Sequence, residues 1–318
     1  MMDDKSSFQF VLVAIYYARN LSTVSQTMSH PVAMGLILLI IGNFFSALYD
    51  VSVKWLPDDA NAASFLLIRQ IISVLILAPV WLFVGKPVTQ KFKLHLWRAS
   101  TGSVGALFFI IGLMALPLAT VSSLFYSAPL MIILLGFLFL KERISLSQTV
   151  CAVLGFAGIV IMLRPSEISW SAIAVLIAAF TFALNQLSLR RVPKDEPVML
   201  TLILYNLLGI PLIFVVCLIQ GFAGLSWQLF GVAVLSNLFL LAYHWFCVLA
   251  YRNANAGEIA IGEYSGMLFV VLFGWVWFGE WLDATSWLGA GLIVLPSLCL
   301  PWLFAQLKPK PTDEVKAS

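Results

Sequence analysis

Long stretches of this chain carry no charge. Residues 99–140 and 197–251 contain no Asp, Glu, Lys or Arg, and 144–163, 168–189 and 284–307 are shorter runs of the same kind. Apolar residues in these runs are continuous rather than alternating, which is the pattern of membrane-spanning helices and not of barrel strands. A span needs roughly 20 apolar residues. Division at the turn residues predicts ten spans, near 33–55, 63–84, 98–115, 119–140, 146–163, 169–189, 197–219, 229–250, 257–279 and 285–306. The separators are helix breakers: Pro57-Asp58-Asp59, Gly85-Lys86-Pro87, Leu116-Pro117, Arg164-Pro165, Pro193 to Pro197, Gly221 to Gly224, and Asn253 to Gly257.

Composition agrees and excludes a soluble domain. The 318 residues are 61% hydrophobic and only 10% charged, against roughly 25% charged in soluble proteins, and mean hydropathy is +0.99. The net charge of +3 matters less than its placement. With the N-terminus in the cytoplasm, every Lys and Arg except Lys54, Arg69 and Arg164 falls in a cytoplasmic loop or tail. The positive-inside rule therefore predicts both termini in the cytoplasm, and an even number of spans requires them to share a side. Residues 1–31 stand apart as an N-terminal extension. Its apolar stretch Phe8 to Ala18 is too short to span and no small-residue cleavage site follows it; a start at Met28 or Met34 is the other reading. The four cysteines, Cys151, Cys217, Cys247 and Cys299, lie inside apolar runs without paired spacing, so neither a disulfide framework nor a zinc site is expected.

The sequence matches itself at an offset of about 137 residues. Ala47-Leu48 through Lys54 and Pro57 aligns with Ala183-Leu184 through Arg190 and Pro193, while Tyr126-Ser127 and Glu142 align with Tyr264-Ser265 and Glu280. Each half holds five spans, so the second must insert upside down. The expected fold is an all-α membrane protein of ten helices in two inverted repeats, 32–164 and 165–307, with a cytoplasmic tail over 308–318. Inverted repeats that meet at the midplane are a hallmark of secondary transporters.

These residues resemble the ten-helix EamA-type branch of the drug/metabolite transporter superfamily. The resemblance covers most of 33–306 and is carried by Asp50-x-x-x-Lys54 and Arg69, by Ser127-Ala128-Pro129-Leu130 followed by Leu140-Lys141-Glu142-Arg143, and by Glu263-Tyr264 followed by Phe278-Gly279-Glu280. Asp50-x-x-x-Lys54, Arg69 and the stretch from Gly289-Ala290 to Pro296 are similar to the group that contains S-adenosylmethionine uptake carriers, with riboflavin and amino-acid carriers as cousins. The chain departs from the pattern in its extension and at Gly262, where many relatives carry Pro.

Polar groups inside the spans are the candidate site. Asp50 and Lys54 form an i, i+4 pair with the acid first, and Arg69 lies at a similar depth in the next span, so an outer charged cluster of Asp50, Lys54 and Arg69 is expected. It would be either a vestibule for a zwitterionic or anionic solute or a structural ion cluster. Glu263 sits about 9 Å into span 9 at 1.5 Å per residue, and His244 lies at the same depth in span 8. The two would serve as a proton relay or a polar solute contact; the plainer reading is a neutral Glu263 bonded to a hydroxyl or amide and a packed His244. Tyr264 follows Glu263, and Tyr243 and Trp245 flank His244 as rings on which an aromatic or cationic solute would stack. Among the mid-span amides Asn43, Asn185, Gln186, Asn206 and Asn237, most are expected to join helices, with Asn185 and Asn206 as solute contacts. Glu142 and Glu280 are expected to fix turns. Gly155, Gly158, Gly289 and Gly291 give small faces for packing within the protomer or for a homodimer seam.

The chain has no Walker A loop, HExxH or GxSxG, so no enzyme and no cofactor is expected. The partners implied are a small-molecule solute and the lipid bilayer, with no nucleic acid. The leading reading is a secondary transporter of a small polar metabolite, an amino acid or a derivative such as S-adenosylmethionine, across the bacterial inner membrane. A carrier of riboflavin or another aromatic solute, and a non-transporting helper of the same fold, are the alternatives.

Overall fold

The computed structural model describes residues 31–83, 85–140, 146–163, 169–254 and 259–296, except positions 282, 286 and 293. The expectations for residues 1–30, for Glu142 and for the chain beyond 296 fall outside them. The described elements are helical: α1 (Pro31–Val53), α2 (Ala62–Phe83), α3 (Phe92–Ala115), α4 (Leu118–Phe125), α5 (Ala128–Leu140), α6 (Leu146–Leu163), α7 (Trp170–Leu189), α8 (Val198–Gln220), α9 (Trp227–Asn253) and α10 (Ser265–Phe278), the last preceded by a 3₁₀ turn, Ala260–Tyr264. A further helical stretch covers 287–296.

Helix ends follow local chemistry. Asn61 Oδ1 accepts the backbone N–H groups of Ala63 and Ser64 at the start of α2. The hydroxyls of Ser169 and Ser226 accept from Ala172 and Leu229 at the starts of α7 and α9. Each satisfies a donor that the first turn leaves open. Gly279, at φ 63°, ends α10 in the left-handed region, and the N–H of Glu280 then reaches back to the Gly274 carbonyl at 3.1 Å.

Among the described residues, seven helical spans are each long and apolar enough to cross a bilayer, and α6, 262–278 and 287–296 complete ten. Two spans are broken where continuous helices were expected. The run 119–140 divides at Tyr126-Ser127 into α4 and α5, because Pro129 has no N–H to give the Phe125 carbonyl and its ring crowds that oxygen. The run 257–279 is tightened over Ala260–Tyr264, where side chains take the carbonyls a regular helix would use. Asn43 Nδ2 donates to the Gly262 carbonyl at 3.0 Å, and the Ser265 hydroxyl donates to the same oxygen at 2.7 Å. Both breaks fall at repeat-equivalent positions, ahead of Ser127 and Ser265.

The packing repeats the same symmetry. α1 lies along α9 as α7 lies along α3, first span against third in each case. α2 packs on α8, second on second, and α10 on α4, fourth on fourth. α1 touches α10 as α7 touches α4 and α5. The chain is thus two inverted five-helix repeats wrapped around one axis. Small residues allow the close crossings: a Cβ on Gly105 of α3 would overlap the Thr181 side chain of α7. Large apolar side chains such as Leu75, Phe83, Ile219 and Leu268 face outward. A bilayer covers such a surface and water does not, so this is a multi-pass membrane protein.

Candidate functional site

Where the two halves meet they enclose a cavity of about 120 Å³, room for several water molecules. α1, α2, α3, α4, α7, α8, α9 and the 3₁₀ turn all contribute to its lining. Its basic and acidic side chains come from different elements.

The basic side chains come from α2 and α3. Arg69 and Arg98 are buried, and their guanidinium carbons lie 5.7 Å from the Tyr49 ring centre and 6.0 Å from that of Tyr205. The Nε of Arg98 donates to the Ser188 hydroxyl at 2.9 Å, and Asn185 Nδ2 donates to the Arg98 carbonyl at 2.7 Å. The His244 ring lies here too, with centroids 5.5 Å from Tyr205 and 5.3 Å from Tyr243, and the strongest charges around it are Arg69 and Arg98.

The acidic side chains come from α1 and the 3₁₀ turn. Glu263 is buried, with Oε1 accepting from the Tyr251 hydroxyl at 2.9 Å and the side-chain amides of Asn43 and Gln186 within reach of its carboxylate. Asp50 lines the same cavity, and Tyr126 stands where the fields of both acids meet. Phe109, Phe125 and Phe182 line the cavity as a cluster of tilted rings, with centroids 4.6 and 5.1 Å apart.

Both ends of the bundle are tied by side chains. At one end Lys54 Nζ lies 3.6 Å from Glu280 Oε1 and donates to the Leu116 carbonyl at 2.9 Å, while Glu280 Oε2 accepts the Leu118 N–H at 2.6 Å. At the other end Arg190 donates to the Ala254 carbonyl, the repeat counterpart of the Lys54 contact. Nearby, His95 Nε2 and Glu196 Oε2 are 3.0 Å apart, Thr89 donates to Glu196 Oε1 at 2.7 Å, and Arg252 donates to the Pro193 and Glu196 carbonyls.

Asp50, Arg69, Asn185, Tyr243, His244 and Glu263 share this cavity. Lys54 leaves the expected cluster: it turns to Glu280, so Asp50 and Lys54 do not pair although they lie on one helix face. His244 faces the arginines, and Glu263 bonds Tyr251 in its place. Tyr264 is buried against Tyr126 instead of lining the cavity. Trp245 is half-buried against the apolar core, and the Asn206 amide bonds the Leu202 carbonyl of its own helix. Arg98 was assigned to a cytoplasmic loop and is part of the cavity. The signal for it was present: His95, Arg98, Ala99 and Gly102 follow i, i+3, i+4, i+7 spacing, and all four are buried.

A family model described as the EamA-like transporter family matches residues 33–164 and again 169–300. The chain belongs to that family. Members named as transporters are its relatives in sequence. It is 29% identical over 209 residues to a riboflavin transporter from Rhizobium johnstonii, covering 64% of this chain and 68% of that one. It is 26% identical to the pseudopaline exporter CntI of Pseudomonas aeruginosa, with 84% and 95% covered, and 23% identical to an S-adenosylmethionine uptake transporter of Rickettsia prowazekii, with 83% and 91% covered. A solved crystal structure superposes at a TM-score of 0.63 with 16% identity, over 89% of this chain and all of the other, which shows the shared fold. The family match and the transporter names of these relatives point to a transporter.

Proposed function

We propose that the protein is a secondary carrier that moves a small polar metabolite, an amino acid or a derivative such as S-adenosylmethionine, across the bacterial inner membrane by alternating access. The repeats 32–164 and 165–307 act as the two halves, both termini are cytoplasmic, and a gradient or solute exchange supplies the energy. The observation that carries this reading is the position of the charged cavity at the crossing of two broken, repeat-equivalent spans. A rocking motion of one half against the other would expose such a cavity to either side in turn.

The ring cluster of Phe109, Phe125 and Phe182 in the cavity lining favours a second reading, a carrier for riboflavin or another planar aromatic solute. A helper of the same fold that moves nothing is the third. Uptake and efflux in proteoliposomes, with labelled amino acids, S-adenosylmethionine and riboflavin, separates the three. The leading reading expects saturable flux of an amino acid or derivative, accelerated by unlabelled solute on the opposite side. Flux of riboflavin alone selects the second reading, and no flux with no solute-induced rise in melting temperature selects the third.

A further inference from the structure

Three charged side chains that line the cavity are buried but incompletely bonded. Arg69 is 2% exposed, Arg98 4% and Asp50 5%. Arg69 Nε, Arg98 Nη1 and Asp50 Oδ1 have no hydrogen-bond partner. A buried charged atom without a partner is costly, and native interiors seldom keep one. The local candidates for satisfying them are already engaged. Lys54, the neighbouring cation on α1, is held by Glu280 and the Leu116 carbonyl. Among the described residues the ion pairs are Lys54–Glu280 and His95–Glu196, so neither arginine pairs with Asp50 or Glu263. Glu263, in contrast, is committed to Tyr251 with two amides beside it.

From these open valences we infer that the cavity is a zwitterion site, in which Arg69 and Arg98 hold the solute's carboxylate or equivalent anion and Asp50 holds its cationic group. The inference rests on the cavity being the solute site proposed above and specifies how that site recognises its ligand. Guanidinium groups present planar N–H donors that match a carboxylate, and Arg69 and Arg98 both line the one cavity. Asp50 offers an acceptor to an ammonium group in the same cavity. A solute with both charges leaves the balance of two arginines against two acids unchanged, whereas a singly charged solute leaves one side desolvated and unpaired. Glu263, bonded already, is left free of ligand recognition.

The test uses the purified full chain in detergent and reads melting temperature against ligand concentration for L-methionine and L-tryptophan. Each is compared with two analogues, one with the carboxylate converted to a carboxamide and one lacking the α-amine. Loss of either charge should weaken binding by about tenfold or more. Arg98→Gln should erase the preference for carboxylate over carboxamide, and Asp50→Asn the preference for the amine. If these variants do not fold, the analogue comparison on the unaltered protein decides alone. Analogues that bind as well as their parents overturn the inference, and so does a protein that none of the zwitterions stabilises. Discriminating binding without flux in proteoliposomes would sink the carrier reading and keep this one; flux without discrimination would do the reverse.

Discussion

The rings of Tyr126 and Tyr264 meet with centroids 6.3 Å apart and planes inclined by 42°, and the two residues occupy the same position in the two repeats. Each ends the first, shorter part of a broken span. Their contact therefore marks the point where the two halves cross, and both rings are buried there.

Gly266 lies at this crossing, and a Cβ on it would overlap the Tyr126 hydroxyl. Gly266→Ala should cost about 1–3 kcal/mol by overpacking. Adding Tyr126→Phe removes the overlapped oxygen and should recover part of that loss. Thermal unfolding of the single and double variants in detergent checks it, and a double variant no more stable than Gly266→Ala would refute the close contact.

The side chains of Lys54 and Glu280 are only 17% and 22% exposed, so removing one strands the other. Lys54→Ala should destabilise by about 1.5–3 kcal/mol. A joint Lys54→Met/Glu280→Gln change should do less, since no charge is left alone and Gln still offers Leu118 an acceptor. The comparison is again one of melting temperatures, with Glu280→Ala expected to be worse than Glu280→Gln.

Glu263→Gln keeps shape and hydrogen-bonding capacity but cannot ionise. We expect normal expression and melting temperature, loss of net gradient-driven flux, and retained exchange between internal and external solute. A pH series of uptake in proteoliposomes reads this directly. Wild-type flux with an unchanged pH profile would reduce Glu263 to a structural partner of Tyr251 and Asn43.

Orientation has its own measurement. Reporter fusions at Lys141 and Lys194 should read cytoplasmic and one at Leu225 periplasmic, because the basic loops remain inside. A periplasmic signal at Lys194 would contradict the proposed topology.

Much of the fold was legible because hydrocarbon imposes a simple rule: a span is a long uncharged run, and its ends are turn residues. That rule failed where charge clustered at the start of a helix. Lys91, Lys93 and Arg98 cut the apolar window of the third span, although α3 begins at Phe92 and turns His95 and Arg98 inward. It also cannot see a break that keeps the run apolar, as Tyr126-Ser127 does. Within the site, residues on one helix face were paired by spacing alone, which suggested Asp50 with Lys54. The competing partner, Glu280, comes from the far end of the other repeat, and no local pattern announces such a contact. His95 and Glu196 escaped notice for the same reason.

Glu280 joins three chain segments with two oxygens. Oε1 faces Lys54 at the end of α1, Oε2 holds the first N–H of α4, and its own backbone is fixed to the end of α10. A single carboxylate thus works as a tie-rod with three attachments. A movement of any of the three segments therefore loads a contact with Glu280. Loss of that one side chain would free the end of α1 and the start of α4 together, which makes Glu280 a point where a local change reaches both repeats.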